Sequence, residues 1–63
     1  MKGDYPMFTL KFETSNAAFE GDAVHEISNI LRDIQRNVNT GYLEGKIRDS
    51  NGNTIGRYQY KKS

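Results

Sequence analysis

The hydrophobic pattern of this chain alternates, then winds, then alternates again. In "MFTLKFET", Phe8, Leu10 and Phe12 fall on one side and Thr9, Lys11 and Glu13 on the other. A period of two with aromatic residues predicts a half-buried strand. "SNAAFEGD" breaks the alternation: Ser15 or Asn16 caps a short turn, Phe19 serves as a hydrophobic plug, and Asp22 is a natural helix N-cap. From Ala23 to Val38 the apolar positions are Val24, Ile27, Ile30, Leu31, Ile34 and Val38. That spacing draws one stripe along a helix, with Glu26, Arg32, Asp33 and Arg36 largely off it. Gly41 suits a left-handed C-cap.

The last third predicts a hairpin, with "YLEGKIRD" and "NTIGRYQY" flanking "SNG". Asn-Gly between such segments is a strong hairpin signal. Two registers are open. A two-residue type I′ turn at Asn51 and Gly52, with positive φ at both, sets Ile47 opposite Gly56, Gly45 opposite Tyr58 and Leu43 opposite Tyr60. A type I turn opened by Asp49, with Gly52 as a bulge, sets Ile47 opposite Ile55 and flips the third strand. The first is favoured, because the second turns Arg57 and Gln59 toward the core. The order strand, helix, strand, strand predicts an α+β fold: a small antiparallel or mixed three-stranded sheet with one helix on one face.

Composition narrows the function classes. Sixty-three residues make one β-α-β-β domain over 1–63, near the lower limit for independent folding. Only 35% of residues are hydrophobic and mean hydropathy is −0.83, so the core is thin. Such a domain is expected to borrow apolar cover from copies of itself, as a homodimer or higher oligomer. Without cysteine and with one histidine, no disulfide, metal site or cofactor is expected. Net charge is only +1, short of the basic excess of a general nucleic-acid coat protein. No apolar run reaches the ~18 residues of a membrane span, and no signal-peptide core stands at the amino end. An intracellular protein with no membrane partner is expected.

Candidate chemistry is sparse. In the favoured register, the sheet face away from the helix carries Thr9, Lys11, Glu13, Glu44, Lys46, Arg48, Ile55, Arg57 and Gln59. The four cations Lys11, Lys46, Arg48 and Arg57 form a cradle for phosphates, where arginine's forked donors give bidentate contacts. The competing reading is an ordinary solvated sheet face. Asp49, Asn51 and Asn53 around Gly52 read as turn formers rather than a calcium loop, which needs twelve residues and a closing glutamate. His25 has Ser28 and Asn29 as its helical neighbours and no triad partner, so catalysis is not expected. Tyr42, Tyr58 and Tyr60 invite a base-stacking role, with Tyr58 as the candidate, although core packing competes with it.

Taken together, "FTLKFETSNAAFE", "ISNILRDI" and "GKIRDSNGNTIGRYQY" resemble small proteins encoded by bacteriophages. The likeness runs over roughly residues 8 to 60 and centres on a G-x-I-x-D-x-N-G-N-x-x-G hairpin. It implies a non-enzymatic accessory in the cytoplasm of a host bacterium that counters host defence. In its most concrete form this is a sponge that sequesters a small phosphorylated nucleotide signal at an oligomer interface. The resemblance carries over no ligand residues; on the cationic sheet face, Lys46, Arg48, Arg57 and Lys11 would hold phosphate, and a tyrosine, with Tyr58 the candidate, would stack on the base. The alternatives are a nucleic-acid-binding accessory, or an inhibitor docking on a host defence protein.

Overall fold

A computed structural model describes residues 5–62. Strand β1 (Met7–Phe12) leads through a 3-10 turn (Ala17–Phe19) to helix α1 (Ala23–Thr40), followed by β2 (Glu44–Arg48) and β3 (Thr54–Lys61). The sheet order is β1-β3-β2 and both pairings are antiparallel, so the expected α+β architecture is present. The last strand therefore runs down the middle. It separates β1 from β2, which lie parallel to one another with α1 as the crossover between them.

Local chemistry fixes the helix ends. The Asp22 carboxylate accepts from the His25 backbone N–H at 3.0 Å, satisfying one of the orphan donors of the first turn. Gly41, at φ 108°, donates back to the carbonyls of Asn37 and Val38. Ile30 and Ile34 are buried, with Ile27 and Val38 packed against them, but Val24 is 79% exposed and Leu31 45%. The apolar stripe is thus narrower than the spacing suggests. Val24 and Leu31 lie on its flank, and Phe19 fills the core from outside the helix, 6.3 Å from the Phe12 ring centroid.

The hairpin combines features of both expected registers. Gly52 N–H donates to the Asp49 carbonyl and Asp49 N–H to the Asn53 carbonyl, each at 3.0 Å. The tight turn therefore spans Asp49 to Gly52 with Ser50 and Asn51 at its centre, in place of a two-residue Asn51-Gly52 turn. Gly52 takes φ 86°, which strains any side chain. Continued along the strands, this turn would set Ile47 opposite Ile55. Instead the register shifts between Ile47 and Arg48, and Ile55 becomes an extra residue of β3. Beyond this bulge Ile47 faces Gly56, Gly45 faces Tyr58 and Glu44 faces Gln59, as the favoured register requires.

One expectation is corrected by the same bulge. Ile55, placed by simple alternation on the open face, is buried in the core. Ile30, Ile34, Ile47 and Ile55 are each worth roughly 1.5–3 kcal/mol when fully buried, and supply much of the apolar stabilisation. Tyr58 completes the cluster at 2% exposure; its ring covers Gly45 and its hydroxyl donates to the Tyr42 carbonyl at 2.9 Å.

Gly56 sits where β3 meets β1 most closely. A Cβ there would lie 2.6 Å from the Phe12 Cα and collide with the Lys11 carbonyl, and neither backbone atom can yield without moving β1. Gly56→Ala should therefore cost about 3 kcal/mol, most of what so small a core supplies. Thermal melting is the check, and a variant melting with the parent would reject this close approach.

Candidate functional site

Antiparallel pairing assembles the site from all three strands. Lys11 of β1 stands opposite Arg57 of β3, and Arg57 stands opposite Lys46 of β2. Three of the expected cations therefore form one row across the sheet, all exposed on the face away from α1. The N–H of Tyr60 donates to the Leu43 carbonyl at 2.8 Å, which makes Leu43 and Tyr60 a hydrogen-bonded pair. By alternation Lys46 and Arg57 form a non-hydrogen-bonded pair, the type whose side chains approach more closely. The side-chain hydrogen bonds of the described residues involve none of Lys11, Lys46, Arg48 and Arg57. Like charges directly opposite one another destabilise a sheet, and a bound anion removes that repulsion.

Arg48 stands apart from this row. The bulge pairs it with Thr54, and it lines a crevice with Glu26, Asp33, Asp49 and Ser50 at the β2 edge. Lys46 and Arg48 also border a cleft of about 410 Å³ between β2 and α1, opposite Asp33 and Asn37. The carboxylate of Asp33 opposes an anion in that cleft, so the flat row is the better phosphate site. Tyr58 cannot stack on a base, because its ring is buried and its hydroxyl engaged. Tyr42 is exposed in the loop before β2, and Tyr60 is partly exposed on the helix-covered face.

Asp49 is a structural hub that sequence reading recognised only as a turn former. Its carboxylate accepts from the backbone N–H groups of Asn51 and Asn53, each at 2.9 Å, and from Asn16 Nδ2 at 2.6 Å. The last bond ties the hairpin turn to the segment ahead of the 3-10 turn. A second tie comes from Glu26: it is buried, although the helical pattern sets it off the apolar stripe, and its carboxylate accepts the Ser50 N–H at 2.8 Å. The D-x-N-G-N signature is thereby accounted for by folding. Among the described residues no group of three or more histidine, cysteine or acidic side chains is placed to hold a metal ion, and no helix is long and apolar enough to cross a membrane.

Comparison with protein-family models, curated proteins and solved structures finds no match to this chain. The reading of the site therefore rests on its geometry.

Asp49 also sets a pH dependence. Desolvation pushes its carboxyl up, but hydrogen bonds from Asn53, Asn16 and Asn51 outweigh that and hold it below its ordinary value of 3.8. A lowered folded-state value means stability that is fully present above 3.8 and lost as pH falls through the folded value. Asp49→Asn should melt below the parent at neutral pH and lose less stability on acidification. Melting temperatures from pH 7 downward provide the measurement, and parallel curves would show that Asp49 contributes nothing to acid sensitivity.

Proposed function

We propose that this chain is a non-enzymatic binding protein. It holds the phosphates of a small nucleotide on the open face of its sheet, at a junction between copies of itself. The supporting observation is the row Lys11–Arg57–Lys46, three adjacent cations in a chain of net charge +1. Arg57 occupies the central strand and offers the forked donor geometry that matches a phosphate, with a lysine on either side as point charges. A single flat face encloses little of a small ligand, whereas small-molecule sites are concave, so a second copy is needed to wall the site. In the setting implied by the phage resemblance, such a protein would sequester a host defence signal in the infected cell.

A nucleic-acid backbone is the second reading, since a flat cationic face also suits a polyanion. Ionic strength separates the two: backbone tracking weakens with salt in proportion to the phosphates contacted. Capture of a host protein by the parent chain, with no nucleotide bound, would instead favour the inhibitor reading.

Arg57→Gln should weaken nucleotide binding roughly ten- to hundredfold, the loss expected for a charge-assisted contact worth ~1.5–3 kcal/mol. The fold should be retained and slightly stabilised without ligand, because two like-charge pairs disappear. Lys46→Ala and Lys11→Ala should weaken binding in the same direction. Calorimetric titration against cyclic and ADP-ribose-type nucleotides tests this. Equal binding by parent and Arg57→Gln would sink it, as would a parent that binds none of the panel.

A further inference from the structure

Among the described residues, strand β1 is hydrogen-bonded on one side only, to β3. The Glu13 N–H donates to the Ile55 carbonyl at 3.1 Å, in register with the pairs from Met7↔Lys61 to Phe12↔Gly56. Antiparallel alternation then points the backbone N–H and C=O of Phe8, Leu10 and Phe12 at the open edge. Beside that edge runs a groove of about 370 Å³ between β1 and α1, lined by Phe8, Leu10, Leu31 and Val38 with Gln35 and Asn39 at its rim. Phe8 is 46% exposed.

The two flanks of α1 differ in charge. Toward β2 it presents Glu26 and Asp33 to the cationic edge residues Lys46 and Arg48. Toward β1, helical spacing brings up Val24, Ser28, Leu31, Gln35 and Asn39, none of them charged. A strand edge left open among the described residues, beside an uncharged apolar flank, is an arrangement that pairs with another chain.

We infer that β1 pairs with β1 of a second copy, antiparallel across a two-fold axis, closing the two grooves onto each other in a six-stranded sheet. The chain's own charges and proline choose the register. Hydrogen-bonded pairs must be drawn from Phe8, Leu10 and Phe12. Centring on Leu10 sets Leu10 against the partner's Leu10, Phe8 against the partner's Phe12, and Lys11 against the partner's Thr9. Centring on Lys11 sets two lysines face to face, which is destabilising. Centring on Thr9 sets Phe12 against Pro6, which has no N–H to donate. A specific dimer buries roughly 800 Å² per partner, more than a six-residue edge supplies, so closure of the grooves is part of the interface.

On the open face this pairing runs the row Lys46–Arg57–Lys11 into the partner's Thr9, and the partner's row into Thr9 of the first chain. The two Lys11 side chains become diagonal neighbours, ~7–8 Å apart, so the phosphate site straddles the axis. That last step rests on the anion-binding reading; the strand pairing does not.

Sedimentation velocity at micromolar concentrations should find the parent dimeric. Phe8→Pro should sediment as a folded monomer, because the N–H it removes points at the open edge. Glu44→Pro removes the equivalent outward N–H of β2 and should stay dimeric. Should Phe8→Pro fail to fold, Leu31→Glu places a charge in the groove from the helix surface and should also be monomeric. The chain has no cysteine, so Leu10→Cys treated with oxidised glutathione, which takes up the two electrons, should form a covalent dimer across the axis. A monomeric parent overturns the inference, as does dissociation by Glu44→Pro but not Phe8→Pro. Inorganic pyrophosphate should tighten the parent dimer by mass action. If Phe8→Pro dissociates the dimer while pyrophosphate changes nothing, the interface stands and the anion site falls.

Discussion

The Asp49 carboxylate closes the hairpin, and much of the molecule is arranged around the consequence. By accepting the N–H groups of Asn51 and Asn53, it stabilises a turn running from Asp49 to Gly52. That turn starts the strands one residue away from the register their side chains need. If the offset persisted, Arg57 would face the helix and Tyr58 the solvent. The bulge at Ile55 cancels it within three residues of the turn and delivers Ile47, Ile55 and Tyr58 to the core together. Turn chemistry and side-chain patterning each prevail locally, and the bulge separates their territories.

The same correction makes the open face cationic. Once Tyr58 is buried, alternation along β3 must expose Arg57, and the neighbouring strands bring Lys11 and Lys46 alongside it. A cationic row is thus an outcome of the core's requirements as well as a candidate site. What distinguishes it from an ordinary solvated face is composition. Glutamates would serve the outer face equally well, yet the row's three positions are all basic, and the nearest carboxylate along β2, Glu44, faces Gln59 instead.

Charge is also distributed unevenly between the two edges of the sheet. At β2, Asp33 of α1 lines the same cleft as Lys46 and Arg48, and Glu26 the same crevice as Arg48, so carboxylates and cations share that edge. At β1, the helix offers only uncharged residues, and Phe8 and Leu31 remain half exposed. A thin core explains part of this. One helix cannot cover a three-stranded sheet, and it lies where Ile30 and Ile34 meet Ile47, leaving the β1 side open.

The order of elements, the helix caps at Asp22 and Gly41, the plug at Phe19 and the pairing of small with large residues across the hairpin were legible in the sequence. Each follows from period, propensity or steric size acting over a few residues. Where β3 lies in the sheet was not legible, because strand order depends on how the helix crosses over and not on any one segment. Local pattern also misjudged Glu26 and Ile55, a buried carboxylate and a buried aliphatic, since one is held by a backbone N–H twenty-four residues away and the other is turned by a bulge. Arg48 was read as part of one cationic face, and the same bulge sets it aside. The sequence by itself determined which residues are cationic and roughly which face they occupy. Only the tertiary structure decided which of them stand together, because adjacency across strands is a property of register, and register is settled by contacts between segments distant in the chain.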